Sequence, residues 1–151
     1  MSRKHRARRA PVLRAPRRPA LALAAAALST AGLLTACGTA DERGADARSA
    51  AVSFEAAVKA RDFSAACAAL APQTRAEVES SEEKACPDAL AGMDLPQAGR
   101  PDRVNVYGRQ AQVVTPGDTL FLSQFGAAWK VVAAGCEPQP GRPYECTVKG
   151  G

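Results

Sequence analysis

The side chains able to do covalent, metal or proton chemistry are few: five cysteines, one histidine and fifteen carboxylates. The single histidine, His5, lies in an arginine-rich leader. From Cys37 onward there is no imidazole base, no Ser-His or Cys-His couple and no histidine metal ligand. Glu77, Glu79, Glu82 and Glu83 could offer two carboxylates to a hydrolase. A run of this spacing reads first as the solvated face of a helix. Cys67 and Cys86, and Cys136 and Cys146, are 19 and 10 residues apart. Neither spacing is the short C-x2–4-C knuckle that zinc ribbons use. No catalytic, cofactor-binding or metal-binding residue is assigned, and no cofactor is expected.

The fifth thiol has a different setting. Leu34-Thr35-Ala36-Cys37 closes a leader with the three parts of a secretory signal. Eight basic residues between Arg3 and Arg18 make a cationic start, and Ala20 to Ala36 is an uncharged run of 17 residues. That run is mostly alanine and short of the roughly 20 strongly apolar residues that a spanning helix needs. The last four residues are a bacterial lipobox pattern. Leu34 fills the apolar subsite of a signal peptidase, Thr35 and Ala36 suit its narrow cleft, and cleavage leaves Cys37 first. Its sulfur would take a diacylglyceryl thioether and its amine an acyl chain such as palmitate. Two or three chains anchor stably where one is marginal, since each buried methylene contributes about 0.8 kcal/mol. The pattern therefore predicts a lipoprotein held at the outer face of the cytoplasmic membrane. Arg17-Arg18 raises the twin-arginine export route, while Pro16 and Pro19 fit that signal poorly. The general route stays open beside it.

Removing residues 1–36 reverses the charge. All fifteen acidic residues but only twelve of the twenty basic ones follow Cys37, so the remainder carries −3 where the whole chain carries +5. A nucleic-acid partner inferred from the whole-chain charge would rest on a discarded segment. With Cys37 lipidated, four cysteines remain in an oxidising setting, and an even count there reads as disulfides. Three pairings are possible. Cys67–Cys86 and Cys136–Cys146 are favoured because each closes within one local segment, stabilising by about 3 kcal/mol in the chain-entropy model.

Residues 37–50 read as the lipidated cysteine and a flexible tether, since Gly38 to Ser49 is polar, charged and poor in branched apolar residues. Residues 51–151 then make one small domain. Ala51, Phe54, Ala57 and Val58 recur at helical spacing behind Ser49 as N-cap. Asp62 caps a second helix, with Phe63, Ala66, Cys67 and Leu70 on one face and Pro72 ending it. Ser80 to Glu83 offers a capping box for a short helix over 84–91. From Arg103 the period changes to two. Four strands are predicted around 103–107, 111–113, 119–124 and 128–134, turning at Gly108-Arg109, Pro116-Gly117-Asp118 and Phe125-Gly126. The pattern predicts an α+β fold: N-terminal helices packed on a curved four-stranded antiparallel sheet, with two disulfides. Cys136 to Cys146 reads as a Pro- and Gly-rich cap held by its disulfide.

Phe54-Glu55-Ala56-Ala57-Val58, followed by Arg61-Asp62-Phe63-Ser64-Ala65-Ala66-Cys67 and Leu70-Ala71-Pro72, resembles the opening of small lipoproteins with a nuclear-transport-factor-2-like (cystatin-like) cone. Asp118 to Leu122 and Trp129-Lys130-Val131-Val132 resemble that fold's curved strands. The likeness covers about residues 50–134. With the alanine and arginine bias, it extends to secreted lipoproteins of high-GC actinobacteria. Enzymatic members place an Asp or His in the cone, and no catalytic residue is carried over here.

Three functions compete. The first is a non-enzymatic, monomeric binding or accessory module anchored through Cys37, holding a small apolar ligand near Tyr107, Phe121 and Trp129. The second is a structural or regulatory partner of another envelope protein, which would show an exposed apolar patch. The third is a small hydrolase built on the glutamate run.

Overall fold

The computed structural model describes residues 39–150, in which four helices precede a five-stranded sheet. Leu34, Thr35, Ala36 and Cys37 lie outside the described residues. Among the described residues, no helix is long and apolar enough to cross a membrane.

Helix α1 spans Ala40–Lys59. Its cap, Thr39, lies ten residues before the expected one at Ser49, so most of the polar stretch expected to be a tether is the first half of a helix. Thr39 accepts from the N–H of Glu42, whose carboxylate accepts from the N–H of Thr39 at 2.7 Å, closing a capping box. Asp41 and Glu42 stand at the positive end of the helix dipole. Ala47, Ala51, Phe54 and Val58 form the buried stripe. That stripe starts one turn earlier than the branched residues reveal. The helix ends with Arg61 left-handed at φ 58° and Asp62 N–H bonded back to Ala57 at 2.9 Å.

Asp62 then caps α2, Phe63–Ala69, by accepting from the N–H of Ala65 at 3.0 Å, as expected. Pro72 does more than end α2. It opens a further helix, α3, Pro72–Glu82, because its fixed φ and missing N–H suit a first turn. Ser80 and Ser81 therefore lie inside α3, and Glu83 ends it at φ 53° in place of the expected capping box. The last helix, α4, is Cys86–Gly92. The Cys67–Cys86 disulfide joins α2 to α4 with its Cα atoms 6.0 Å apart.

The sheet is an open antiparallel meander in the order β1 Arg103–Tyr107, β2 Gln110–Val114, β3 Thr119–Phe125, β4 Ala128–Gln139 and β5 Arg142–Lys149. Its edges, β1 and β5, are far apart in that order, so it is not the curved four-stranded sheet expected. The extra strand comes from the C-terminal segment. Cys136 pairs with Cys146 in the ladder and in a disulfide, so the expected cap is a β-hairpin. Pro138 concealed it, sitting where the register of β4 and β5 shifts between Glu137 and Gln139. Val113, Leu120, Leu122, Val131 and Val148 pack beneath the helices with Phe54 and Leu90, all nearly inaccessible.

Candidate functional site

The three aromatics expected to share a pocket do not meet. Trp129 is buried on the helix side of the sheet, its indole N–H without a partner among the described residues. Phe121 alternates with buried Leu120 and Leu122 and so lies on the other side, edge-on to Tyr144 with ring centroids 5.1 Å apart. Tyr107 stands 68% exposed at the end of β1. Trp129 and Phe121 thus lie on opposite faces of the sheet, and a register shift between β3 and β4 puts Ala134, not Ala133, on the buried face with Trp129 and Val131. On the side away from the helices, Asn105 Nδ2 donates to Gln112 Oε1, and the Gln112 amide donates to the Tyr144 hydroxyl at 3.1 Å.

The glutamate run is not a two-carboxylate site either. Glu77 and Glu83 are exposed, whereas Glu79 accepts from Arg75 Nε at 3.1 Å and from the N–H of Cys86 at 3.3 Å. The Arg75 guanidinium, then the Cys86 N–H, holds Glu79 below the usual carboxylate range. It is an ionised group tying α3 to the start of α4.

A groove lies instead between α1 and the segment before β1. It encloses about 550 Å³ and is lined by Val52, Glu55 and Ala56 of α1 and by Ala98 and Pro101 opposite. Arg48, Lys59 and Arg100 also line it. Two contacts set the far wall. Arg48 Nη1 donates to Pro101 O at 2.7 Å, and the N–H of Gly117 donates to Ala98 O at 3.3 Å. Gly117 has to be glycine there, because a Cβ would run into the Gln97 carbonyl.

Glu55 is half-buried in this groove. Its carboxyl is raised from 4.5 to about 7, and burial is the largest cause. The charge of Asp118 contributes to that rise, and the N–H of Ala98 offsets part of it. Near neutrality the group can therefore give or take a proton. Asp118 is not a second free carboxylate, since Oδ2 accepts from the N–H of Gly135 at 2.9 Å and Oδ1 from that of Cys136 at 2.8 Å. The groove thus brings one titratable carboxyl and three cationic side chains to largely apolar walls.

Sequence reading passed over Glu55. The signal was its place four residues after Ala51 and three before Val58, which puts a charge at the margin of the buried stripe.

The raised carboxyl has a consequence for stability. Below pH 4.5 Glu55 is protonated whether the chain is folded or not. Between 4.5 and about 7 the folded chain keeps a proton that the unfolded chain has released, so stability falls as pH rises through that window. Glu55→Gln should flatten this part of the profile. At pH 8 it should be more stable than the parent by on the order of 1 kcal/mol, the group being partly screened by solvent. Urea midpoints at pH 5 and pH 8 measure it, and equal pH slopes in both proteins would refute the assignment.

No family model, no curated protein and no solved structure matches this chain.

Proposed function

We propose that the chain is an extracytoplasmic lipoprotein, cleaved behind Leu34-Thr35-Ala36 and acylated at Cys37, whose domain is a non-enzymatic module binding a small apolar ligand. It would sit at the outer face of the cytoplasmic membrane as a monomer. Its helical opening supports a kinship with nuclear-transport-factor-2-like lipoproteins of actinobacteria. The observation that carries the binding function is the groove. Its volume of about 550 Å³ falls within the range of small-molecule sites, and largely apolar walls with a few polar groups, here Glu55 with Arg48, Lys59 and Arg100, are their usual composition. Two disulfides suit an exported domain of this size.

Native mass spectrometry of the oxidised domain, purified from an exporting host, tests the binding function. A reproducible extra mass should leave on denaturation, and Ala56→Trp, which fills the groove, should abolish it. A domain that always travels bare, at the mass of two disulfides, would turn the reading toward a protein partner. Cys37→Ala in the full chain should leave uncleaved precursor and remove all incorporation of labelled fatty acid. Unchanged processing and labelling would defeat the lipoprotein reading.

A further inference from the structure

The capped start of α1 leaves almost no chain between the domain and its anchor. Cys37 precedes the cap residue Thr39 by two positions, a covalent span of about 7 Å at full extension. If Cys37 carries acyl chains in the bilayer, the first turn of α1 is held at the headgroups whatever the rest of the domain prefers.

The residues gathered at that end are of a kind that suits this position. The first turns of α1, at Ala40, Asp41 and Gly44, lie beside Val104 to Tyr107 of β1. Tyr107 leads into the β1–β2 turn, where Arg109 clasps the end of β3. Its guanidinium donates to Gln124 O at 2.6 Å, and its own carbonyl accepts from the N–H of Gln124 at 2.8 Å. Phe125 follows at the β3–β4 turn. Tyr107 and Phe125 are 68% and 45% exposed, the two most exposed of the large apolar side chains among the described residues. The ladder places them on one side of the sheet: Tyr107 pairs with Gln110, Gln110 with Ser123, and Phe125 lies two residues beyond Ser123.

We propose that this end of the domain is a membrane seat, with Tyr107, Arg109 and Phe125 resting in the lipid headgroup layer beside the acylated Cys37. The proposal rests on the lipidation proposed above. Amphipathic aromatic rings are favoured at that depth, an apolar body meeting acyl chain and a polar edge meeting water. Asp41 and Glu42 share this end, so attraction to anionic lipid is not what makes the contact; the anchor and the aromatics make it. The groove lining from Arg48 to Lys59 lies further along α1, up to about 30 Å from its start at 1.5 Å per residue.

The test uses the full chain in membranes of an exporting bacterial host, with a benzophenone amino acid placed at 107, at 125 or at the exposed position 142 on the β4–β5 hairpin. After irradiation, lipid adducts should be at least several-fold more abundant at 107 and 125 than at 142. Inserting about fifteen Gly/Ser residues between Gly38 and Thr39 should erase that preference. Equal or absent adducts at 107 and 125, in a chain that still carries its acyl label, would overturn the seat and leave the lipoprotein reading intact. Loss of the label itself would overturn both.

Discussion

Asp118→Ala will destabilise the domain by about 2–5 kcal/mol, although the residue lies at a turn. The carboxylate is 7% exposed, and each of its oxygens accepts from a different buried N–H, those of Gly135 and Cys136. Alanine leaves both donors buried with no acceptor, and an orphaned donor costs about 1–3 kcal/mol. Nothing nearby can relax cheaply. Gly135 is held at φ 66° with the Thr147 side chain against it, and Cys136 is tied to Cys146. The Asp118 backbone belongs to the same knot, its N–H donating to Thr115 Oγ1 at 2.8 Å and its carbonyl accepting from Thr115. Asp118→Asn keeps one acceptor and should cost less. Equilibrium urea denaturation measures both, and a loss below about 1 kcal/mol for alanine would mean that water reaches the two amides. The alanine change also removes the charge facing Glu55, so that carboxyl should drop part of the way back toward 4.5. Burial alone would then hold it up.

Phe54→Ala is expected to cost about 3–5 kcal/mol, a large share of the 5–15 kcal/mol typical of a whole domain. Phe54 is 1% exposed and is the largest fully buried side chain that α1 contributes. Around it the helix offers mainly alanines, at Ala47 and Ala51, which cannot swell to fill a cavity. Val52 provides the contrast. It is two residues away on the same helix, 44% exposed and facing the groove, so Val52→Ala should change stability by no more than about 0.5 kcal/mol. If the two variants lose comparable stability, α1 does not divide its faces between core and groove as described.

The extent of α1 shows how far a sequence can be read. Thr39-Ala40-Asp41-Glu42 spells a capping box, and alanines follow it at helix-favouring density. The local code for a helix was present from Thr39. The segment lacks branched apolar residues, and an alanine stripe gives a weak amphipathic signal, so by spacing alone it reads as a tether. Pro72 reads locally as a helix stop, whereas the residue that ends one helix can open the next. The β4–β5 hairpin was hidden by its prolines, which are tolerated on an exposed hairpin at a shift of register.

Composition and local spacing by themselves determined the α+β order of helices before strands, the positions of β1 to β4 and the cap at Asp62. They also favoured the two local cysteine pairings. Each depends on residues near in sequence, where spacing and turn chemistry dominate. Tertiary structure decided the rest. It separated Tyr107, Phe121 and Trp129, which shared only a pattern, and set Glu55 of α1 facing Asp118 from the far half of the chain. A buried carboxyl acquires its properties from what packs against it, and that packing is settled by long-range strand and helix contacts that no local pattern encodes.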